Sequence, residues 1–141
     1  LFFAHYTDSN GQASRLYPGA REALDALRAR GLPLATITNK PHRFVAPLYA
    51  RLGILDHFVL LLGGDSLPQR KPDPAPLLHA CRELGVAPAR ALMVGDSRND
   101  IEAARAAGCP VVAVDYGYNY GEPVAVYAPD RVLSDLRALL G

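Results

Sequence analysis

ALMVGDSRNDIEAARAAG, residues 91–108, runs from an apolar strand through an acidic turn into a helix. Its first four residues are a short apolar run of the kind that parallel sheets bury, and Gly95 then permits a sharp turn. Ser97 and Asp100 have the spacing of a capping box, and Gly108 falls where a helix commonly ends. The stretch therefore predicts a strand, a turn and a helix in immediate succession.

The two aspartates of this stretch, Asp96 and Asp100, follow the predicted strand. Open α/β sheets bind their ligands where parallel strands end, and two carboxylates there suit a hard cation with oxygen ligands, Mg²⁺ above all. The alternative is a purely structural role, in which Asp96 serves the turn and Asp100 the helix cap. The local pattern by itself leaves both interpretations open.

Strand and helix patterns alternate along the rest of the chain. Such alternation predicts βαβ units and an α/β fold with a Rossmann-like parallel sheet. Right-handed crossovers would bring the carboxyl ends of all these strands to one edge of the sheet. The predicted strands cover residues 34–38, 57–62, 91–94, 111–114 and 131–133.

Three further polar residues lie at predicted strand ends: Thr38 and Asn39 after one strand, and Lys71 in the polar loop after the next. Together with two carboxylates and Mg²⁺, they supply the donors and the positive charge that a phosphoryl group needs. Taken singly, each is better explained structurally: Thr38 as a β-branched strand residue, Asn39 as a turn former and Lys71 as a solvated lysine. Their joint placement favours a phosphate site, in which we expect Lys71 to pair with an acidic residue such as Asp100 when the site is empty.

The composition is that of an ordinary globular domain, with 141 residues, 50% of them hydrophobic, and a net charge of +1. This balance indicates no nucleic-acid partner. No apolar run approaches the roughly 20 residues that span a bilayer, so we expect no membrane association and a cytoplasmic location. Cys81 and Cys109 lack CxxC spacing and are predicted to be buried free thiols.

These motifs resemble those of the haloacid dehalogenase-like hydrolases, and the resemblance covers residues 16–141. Thr38 in ATITN resembles the family's second motif, Lys71 in RKPDP its third, and the GDSRND turn its fourth. Within the family, the chain is most similar to the phosphoglycolate phosphatases. The strings that carry this closer resemblance are YPGAREAL, TNKP, RKPDPAPLL, GDSRNDIEAARAAGCP and YGYNYGE.

The resemblance implies a Mg²⁺-dependent phosphomonoester hydrolase of carbohydrate metabolism, acting on a small phosphorylated metabolite such as 2-phosphoglycolate. It implies catalytic roles for Thr38 and Lys71, and phosphate binding by these two residues and Asn39. It also implies a metal site formed by Asp96 and Asp100. The aromatic loop at residues 116–120 is a candidate entrance to the site or plain packing.

In the family, an aspartate nucleophile takes the phosphoryl group and a second aspartate acts as general acid and base, both in a DxDxT segment on the first, central strand. No DxD triplet occurs in these 141 residues. We therefore expect a piece of a longer enzyme, which on its own is inactive. The expected division is the tail of the family's helical cap domain with a linker at residues 1–15, followed by a partial core domain at residues 16–141. Within the first part, we expect a helix end over residues 1–6 and a polar loop over residues 7–14.

Without its central strand, the sheet would have two apolar strand edges facing each other, at the strands that end near Thr38 and Gly95. We expect these edges to come together or to recruit another chain by strand exchange or homo-oligomerisation, since exposed edges attract partners. Other function classes remain open. They are a non-catalytic module that binds Mg²⁺ and phosphate, another phosphatase or a phosphomutase of the family, and a receiver-like or flavodoxin-like domain.

Overall fold

A six-stranded parallel sheet with helices on both faces forms the centre of the protein, as a computed structural model shows. The structure describes residues 2–3, 7–9, 14–16, 19–115 and 122–140. The strands are β1 (Phe2–Phe3), β2 (Thr7–Ser9), β3 (Ser14–Leu16), β4 (Ala35–Ile37), β5 (Leu60–Leu62), β6 (Met93–Gly95), β7 (Val111–Val114) and β8 (Arg131–Leu133). The sheet has the order β5-β4-β1-β6-β7-β8, and β2 and β3 form a separate antiparallel pair. This confirms the predicted α/β fold.

The position between β4 and β6 is occupied by β1, whose Phe2 pairs with Ala35 on one side and Met93 on the other. The expected helix end is therefore wrong at Phe2–Phe3, and the expected gap in the sheet is filled by the chain itself. The strands that end near Thr38 and Gly95 do not come together. A short apolar run has no period that separates a strand from a helix, and pairing with both neighbours satisfies backbone groups that a gap would leave open.

The polar loop expected over residues 7–14 is wrong at its ends, because Thr7–Ser9 pairs antiparallel with Ser14–Leu16. Asp8 lies opposite Arg15 in this ladder. A polar sequence does not prevent two segments from pairing as strands, because the ladder between them is made by backbone hydrogen bonds. The turn signal at residues 10–11 lies outside the described residues.

Successive residues of the strands supply the cores of the two faces, as the alternation of side chains along a strand requires. The helices are α1 (Ala20–Ala29), α2 (Val45–Leu52), α3 (Ala75–Leu84) and α4 (Arg98–Ala107). Met93 packs into the core beside α3 and α4, whereas its neighbour Val94 packs into the core beside α1 and α2. Cys81 and Cys109 are buried free thiols of the core beside α3 and α4, as predicted.

One strand begins later than the sequence predicts. The strand expected from residue 57 begins only at Leu60, because a 3₁₀ helix at Leu55–His57 directs buried His57 towards Asp25 of α1, with 2.5 Å between Nε2 and Oδ1. The last segment is a 3₁₀ helix, Leu136–Leu140, and the Ser134 hydroxyl donates to Asp115 at 2.7 Å. Of the described helices, none has the length and apolar character needed to cross a membrane.

Candidate active site

Thr38 and Asn39 leave the carboxyl end of β4 at the edge of the sheet. The Thr38 backbone N–H donates to the carbonyl oxygen of Leu62 at 3.0 Å, which extends the β4–β5 pairing by one residue. The Thr38 hydroxyl oxygen accepts the Lys40 N–H at 3.1 Å, a short side-chain turn that fixes the direction of the hydroxyl. The side-chain amide nitrogen of Asn39 donates to the backbone carbonyl oxygen of Lys71 at 3.1 Å, so the loop after β4 is in contact with the loop that carries Lys71.

Lys71 lies in the loop between β5 and α3, and its peptide bond to Pro72 is cis. Its residue is only 6% exposed, and its ammonium nitrogen donates to the carbonyl oxygen of Ile37 at 2.9 Å and to Asp100 Oδ1 at 2.6 Å. Ile37 ends β4 and Asp100 belongs to the helix after β6, so this ammonium bridges the two strands on either side of β1. The predicted pairing of Lys71 with Asp100 is confirmed. The interpretation of Lys71 as a solvated loop lysine is wrong, because the side chain is buried.

The acidic turn after β6 is built on the capping box predicted from its spacing. Oδ2 of Asp100 accepts the Asp96 N–H at 2.9 Å and the Ser97 N–H at 3.2 Å, and lies 3.3 Å from the Ser97 hydroxyl oxygen. Asp100 folds back so closely over Gly95 that a Cβ at that position would overlap its carboxyl group. Glycine at this turn is thus required by a close approach as well as by the bend of the chain.

Burial and neighbouring charges shift the pKa values of the two aspartates in opposite directions. Burial acts to raise the pKa of Asp100, but the Lys71 charge, its hydrogen bond and the backbone N–H groups together hold that pKa below its usual value. For Asp96, burial and then the negative charge of Asp100 raise the pKa to about 8, although Lys71 acts in the opposite direction. Asp96 and Asp100 are 4% and 2% exposed. A proton on Asp96 is therefore favoured at neutral pH unless another positive charge arrives.

The donor set fits a divalent cation held chiefly by Asp96. Two buried carboxylates meet at a strand end, and a cation would replace the proton that burial favours on Asp96. Both oxygens of Asp100 already accept hydrogen bonds, so Asp100 is less suited to direct coordination. Among the residues that the structure describes, no group of three or more His, Cys, Asp or Glu side chains forms a metal cage. Mg²⁺ commonly uses one or two carboxylates together with water and phosphate oxygens.

The structure brings all five predicted site residues to the carboxyl edge of the sheet, and hydrogen bonds join Asn39 to Lys71 and Lys71 to Asp100. Sequence reasoning missed the carbonyl oxygen of Ile37 as a partner of Lys71, and it missed Asp65, which accepts a hydrogen bond from the backbone of the loop after β4. The glycine pair before Asp65 was a usable signal, since adjacent glycines often mark a close approach of backbones. The aromatic loop at residues 116–120 lies outside the described residues.

Known proteins resemble the chain in sequence and in fold. The family model of the haloacid dehalogenase-like hydrolases matches residues 2–108. The phosphoglycolate phosphatase of Thiobacillus denitrificans is 53% identical over 132 residues, which are 94% of this chain and 58% of that protein. The phosphoglycolate phosphatase of Escherichia coli K12 is 46% identical over 140 residues, covering 99% of this chain and 56% of the relative.

Solved structures extend the same similarity. A predicted phosphoglycolate phosphatase from Haemophilus somnus 129pt superposes with a TM-score of 0.90 at 48% identity, covering 92% of this chain and 58% of that one. CbbY from Rhodobacter sphaeroides, solved in complex with phosphate, superposes with a TM-score of 0.80 at 29% identity, covering 90% and 57%. The chain thus spans less than two thirds of the length of these relatives. With the family model matching most of its length, the chain belongs to the haloacid dehalogenase-like hydrolases.

Proposed function

We propose that the protein containing this chain is a Mg²⁺-dependent phosphomonoester hydrolase, with 2-phosphoglycolate as its first candidate substrate. The observation that carries this proposal is the buried ammonium of Lys71, held between the Ile37 carbonyl and Asp100 at the edge of the sheet where Thr38 and Asn39 emerge. A buried cation at the edge of the sheet that also presents a hydroxyl and an amide suits the charge of a phosphoryl group. The names of the relatives and the phosphate complex of CbbY support the same chemistry.

The proposed roles follow from the contacts. Lys71 neutralises phosphoryl charge and takes part in catalysis with Thr38. Asn39 donates to phosphate oxygens, and its side-chain amide also holds the Lys71 loop by donating to the backbone carbonyl oxygen of Lys71. Asp96 and Asp100 form the metal site, with direct coordination assigned to Asp96. Asp100 orients Lys71 and holds the turn. When bound, Mg²⁺ would shield the negative charge that builds up on the transferring group.

The family resemblance supports an aspartyl-phosphate intermediate and a cytoplasmic enzyme of carbohydrate metabolism. The described site offers phosphate and metal contacts, and the 141 residues contain no DxD triplet. Phosphoryl transfer through a covalent intermediate requires a nucleophile in line with the leaving oxygen. We therefore expect residues 1–141 on their own to release no phosphate from 2-phosphoglycolate with Mg²⁺. Turnover by this 141-residue chain above that of its Asp96→Asn variant would contradict this expectation.

The deciding experiment compares the full-length protein with its Asp96→Asn variant, which keeps the size of the side chain and removes its charge. Phosphate release from 2-phosphoglycolate should require Mg²⁺ and should be lost in the variant. A control series of other phosphomonoesters, including sugar phosphates, tests the choice of substrate. Undiminished Mg²⁺-dependent turnover by Asp96→Asn would sink the metal assignment.

A non-catalytic module that binds Mg²⁺ and phosphate is the second candidate function, favoured by a site in which the phosphate-binding and metal-binding side chains are joined by hydrogen bonds. It requires that the full-length protein bind inorganic phosphate and Mg²⁺ while hydrolysing none of the esters tested. Calorimetric titration with phosphate, with and without Mg²⁺, distinguishes the two candidates when it is run beside the turnover assay.

A further inference from the structure

The loop after β5 is fastened to the loop after β4 by contacts outside the five proposed site residues. The Gly64 N–H donates to the Lys40 carbonyl oxygen at 2.8 Å, and the carboxylate of Asp65 accepts the His42 N–H at 2.8 Å through Oδ1. The turn is also closed on itself, because the Gly63 N–H donates to the Ser66 hydroxyl oxygen at 2.8 Å. One of these loops carries Thr38 and Asn39, and the other leads to Lys71.

The close approach of these two loops requires glycine at residues 63 and 64. A Cβ at Gly64 would overlap the carbonyl oxygen of Asn39, and a Cβ at Gly63 would overlap the backbone of His42. In both cases the obstacle is backbone, which cannot rotate away as a side chain can. The two loops therefore approach each other as closely as two main chains allow, and the contact includes the backbone of the proposed phosphate ligand Asn39.

We propose that Asp65 is a positioning residue for the phosphate site, acting through the His42 N–H to hold the 38–42 loop against the loop that leads to Lys71. The inference rests on the proposed function. Its geometric basis is a carboxylate that joins two chain segments 23 residues apart in sequence. The backbone hydrogen bond from His42 is also the main cause that lowers the pKa of Asp65, so the carboxylate is ionised when it accepts this bond at neutral pH.

Three variants of the full-length protein isolate this contact. Asp65→Ala removes the acceptor, whereas Asp65→Asn keeps an oxygen that can accept the same N–H. Asp130→Ala is the matched control, because Asp130 is an exposed carboxylate that accepts the Val111 N–H at 2.8 Å, and that bond is likewise the main cause of its lowered pKa. Val111 begins β7, so this control contact lies at the opposite edge of the sheet from the site.

The first readout is kinetic, with 2-phosphoglycolate and Mg²⁺. We expect Asp65→Ala to lower kcat about tenfold with a smaller change in KM, since small misplacements of donors weaken transition-state contacts most. Asp65→Asn should recover most of this loss, and Asp130→Ala should keep the kcat of the unmodified protein. Unchanged kcat in Asp65→Ala, or an equal loss in Asp130→Ala, would overturn the positioning role.

The second readout is independent of turnover. Amide hydrogen exchange should accelerate at His42 and its neighbours in Asp65→Ala, and should stay unchanged there in Asp130→Ala. If the unmodified protein hydrolyses no phosphomonoester, the proposed function falls while this exchange result still decides whether Asp65 holds the loop. Unchanged exchange at His42 in Asp65→Ala overturns the inference in either case.

Discussion

The two halves of the candidate site are built in different ways. The metal half, Gly95–Asp100, lies within one turn, and its hydrogen bonds join residues three or four positions apart. The phosphate half is assembled from distant segments, since Lys71 reaches Ile37 and Asp100 across 34 and 29 positions. Local geometry thus shapes one half, whereas the other depends on the packing of the whole sheet. Asp100 belongs to both halves, because one carboxylate oxygen closes the turn and the other holds Lys71.

The largest effect is expected from Lys71→Ala, which removes the buried ammonium of the phosphate half. Removing one donor to a developing phosphoryl charge costs on the order of 10²-fold in rate, so kcat should fall and not merely KM rise. Asp100 would also be left as a buried, unpaired carboxylate, which typically costs about 3–5 kcal/mol of unfolding free energy. Steady-state kinetics and urea denaturation of the full-length protein measure the two effects.

A paired variant separates these two consequences of losing Lys71. Lys71→Met combined with Asp100→Asn removes both charges together, and we expect it to recover much of the stability while activity stays low. Normal kcat in Lys71→Ala would contradict the phosphate role of this side chain.

An intermediate effect is expected from Asp100→Asn, which acts on the residue shared by both halves. An amide oxygen can still accept the N–H groups of Asp96 and Ser97, so the local turn should persist. The contact with the Lys71 ammonium loses its charge, and about a 10- to 100-fold loss of activity is typical when the orienting partner of a site residue is changed. We expect kcat to fall within that range while far-UV circular dichroism stays unchanged. A Mg²⁺ affinity that collapses as completely as in Asp96→Asn would instead assign direct coordination to Asp100.

The smallest expected effect is a pH dependence of the metal half. The pKa of Asp96 is raised from 3.8 to about 8, so the folded protein keeps a proton there that the unfolded chain has released. The contribution of this group to stability therefore decreases as pH rises from about 4 and levels off above about 8. A bound cation competes with the same proton, so its affinity should increase with pH over this window.

Thermal unfolding with and without Mg²⁺ at pH 6, 7.5 and 9 measures this linkage. The shift in Tm caused by Mg²⁺ should grow with pH in the unmodified protein. Asp96→Asn serves as the control, in which the growth should vanish. A shift that is independent of pH in both proteins would show that Asp96 is not the group that exchanges a proton for the cation.

Predictions from the sequence succeeded where the contacts are local or follow a general rule of parallel sheets. The capping box of Ser97 and Asp100 was readable because all of its partners lie in one turn. The pairing of Lys71 with Asp100 was predicted from the rule that parallel strands end at one edge, together with charge complementarity. The role of Ile37 as a partner of Lys71 was not readable, since a backbone carbonyl carries no residue-specific signal.

The amino-acid sequence was enough to predict the alternation of strands and helices, the acidic turn after β6 and the positions of the five site residues. These features depend on hydrophobic periodicity and on contacts between near neighbours, which a linear chain displays directly. Long-range packing, in contrast, places Phe2–Phe3 at the centre of the sheet, buries Lys71 and joins Asp65 to the loop after β4. These features could not be predicted because strand pairing, desolvation and backbone contact depend on which distant segments the folded chain brings together.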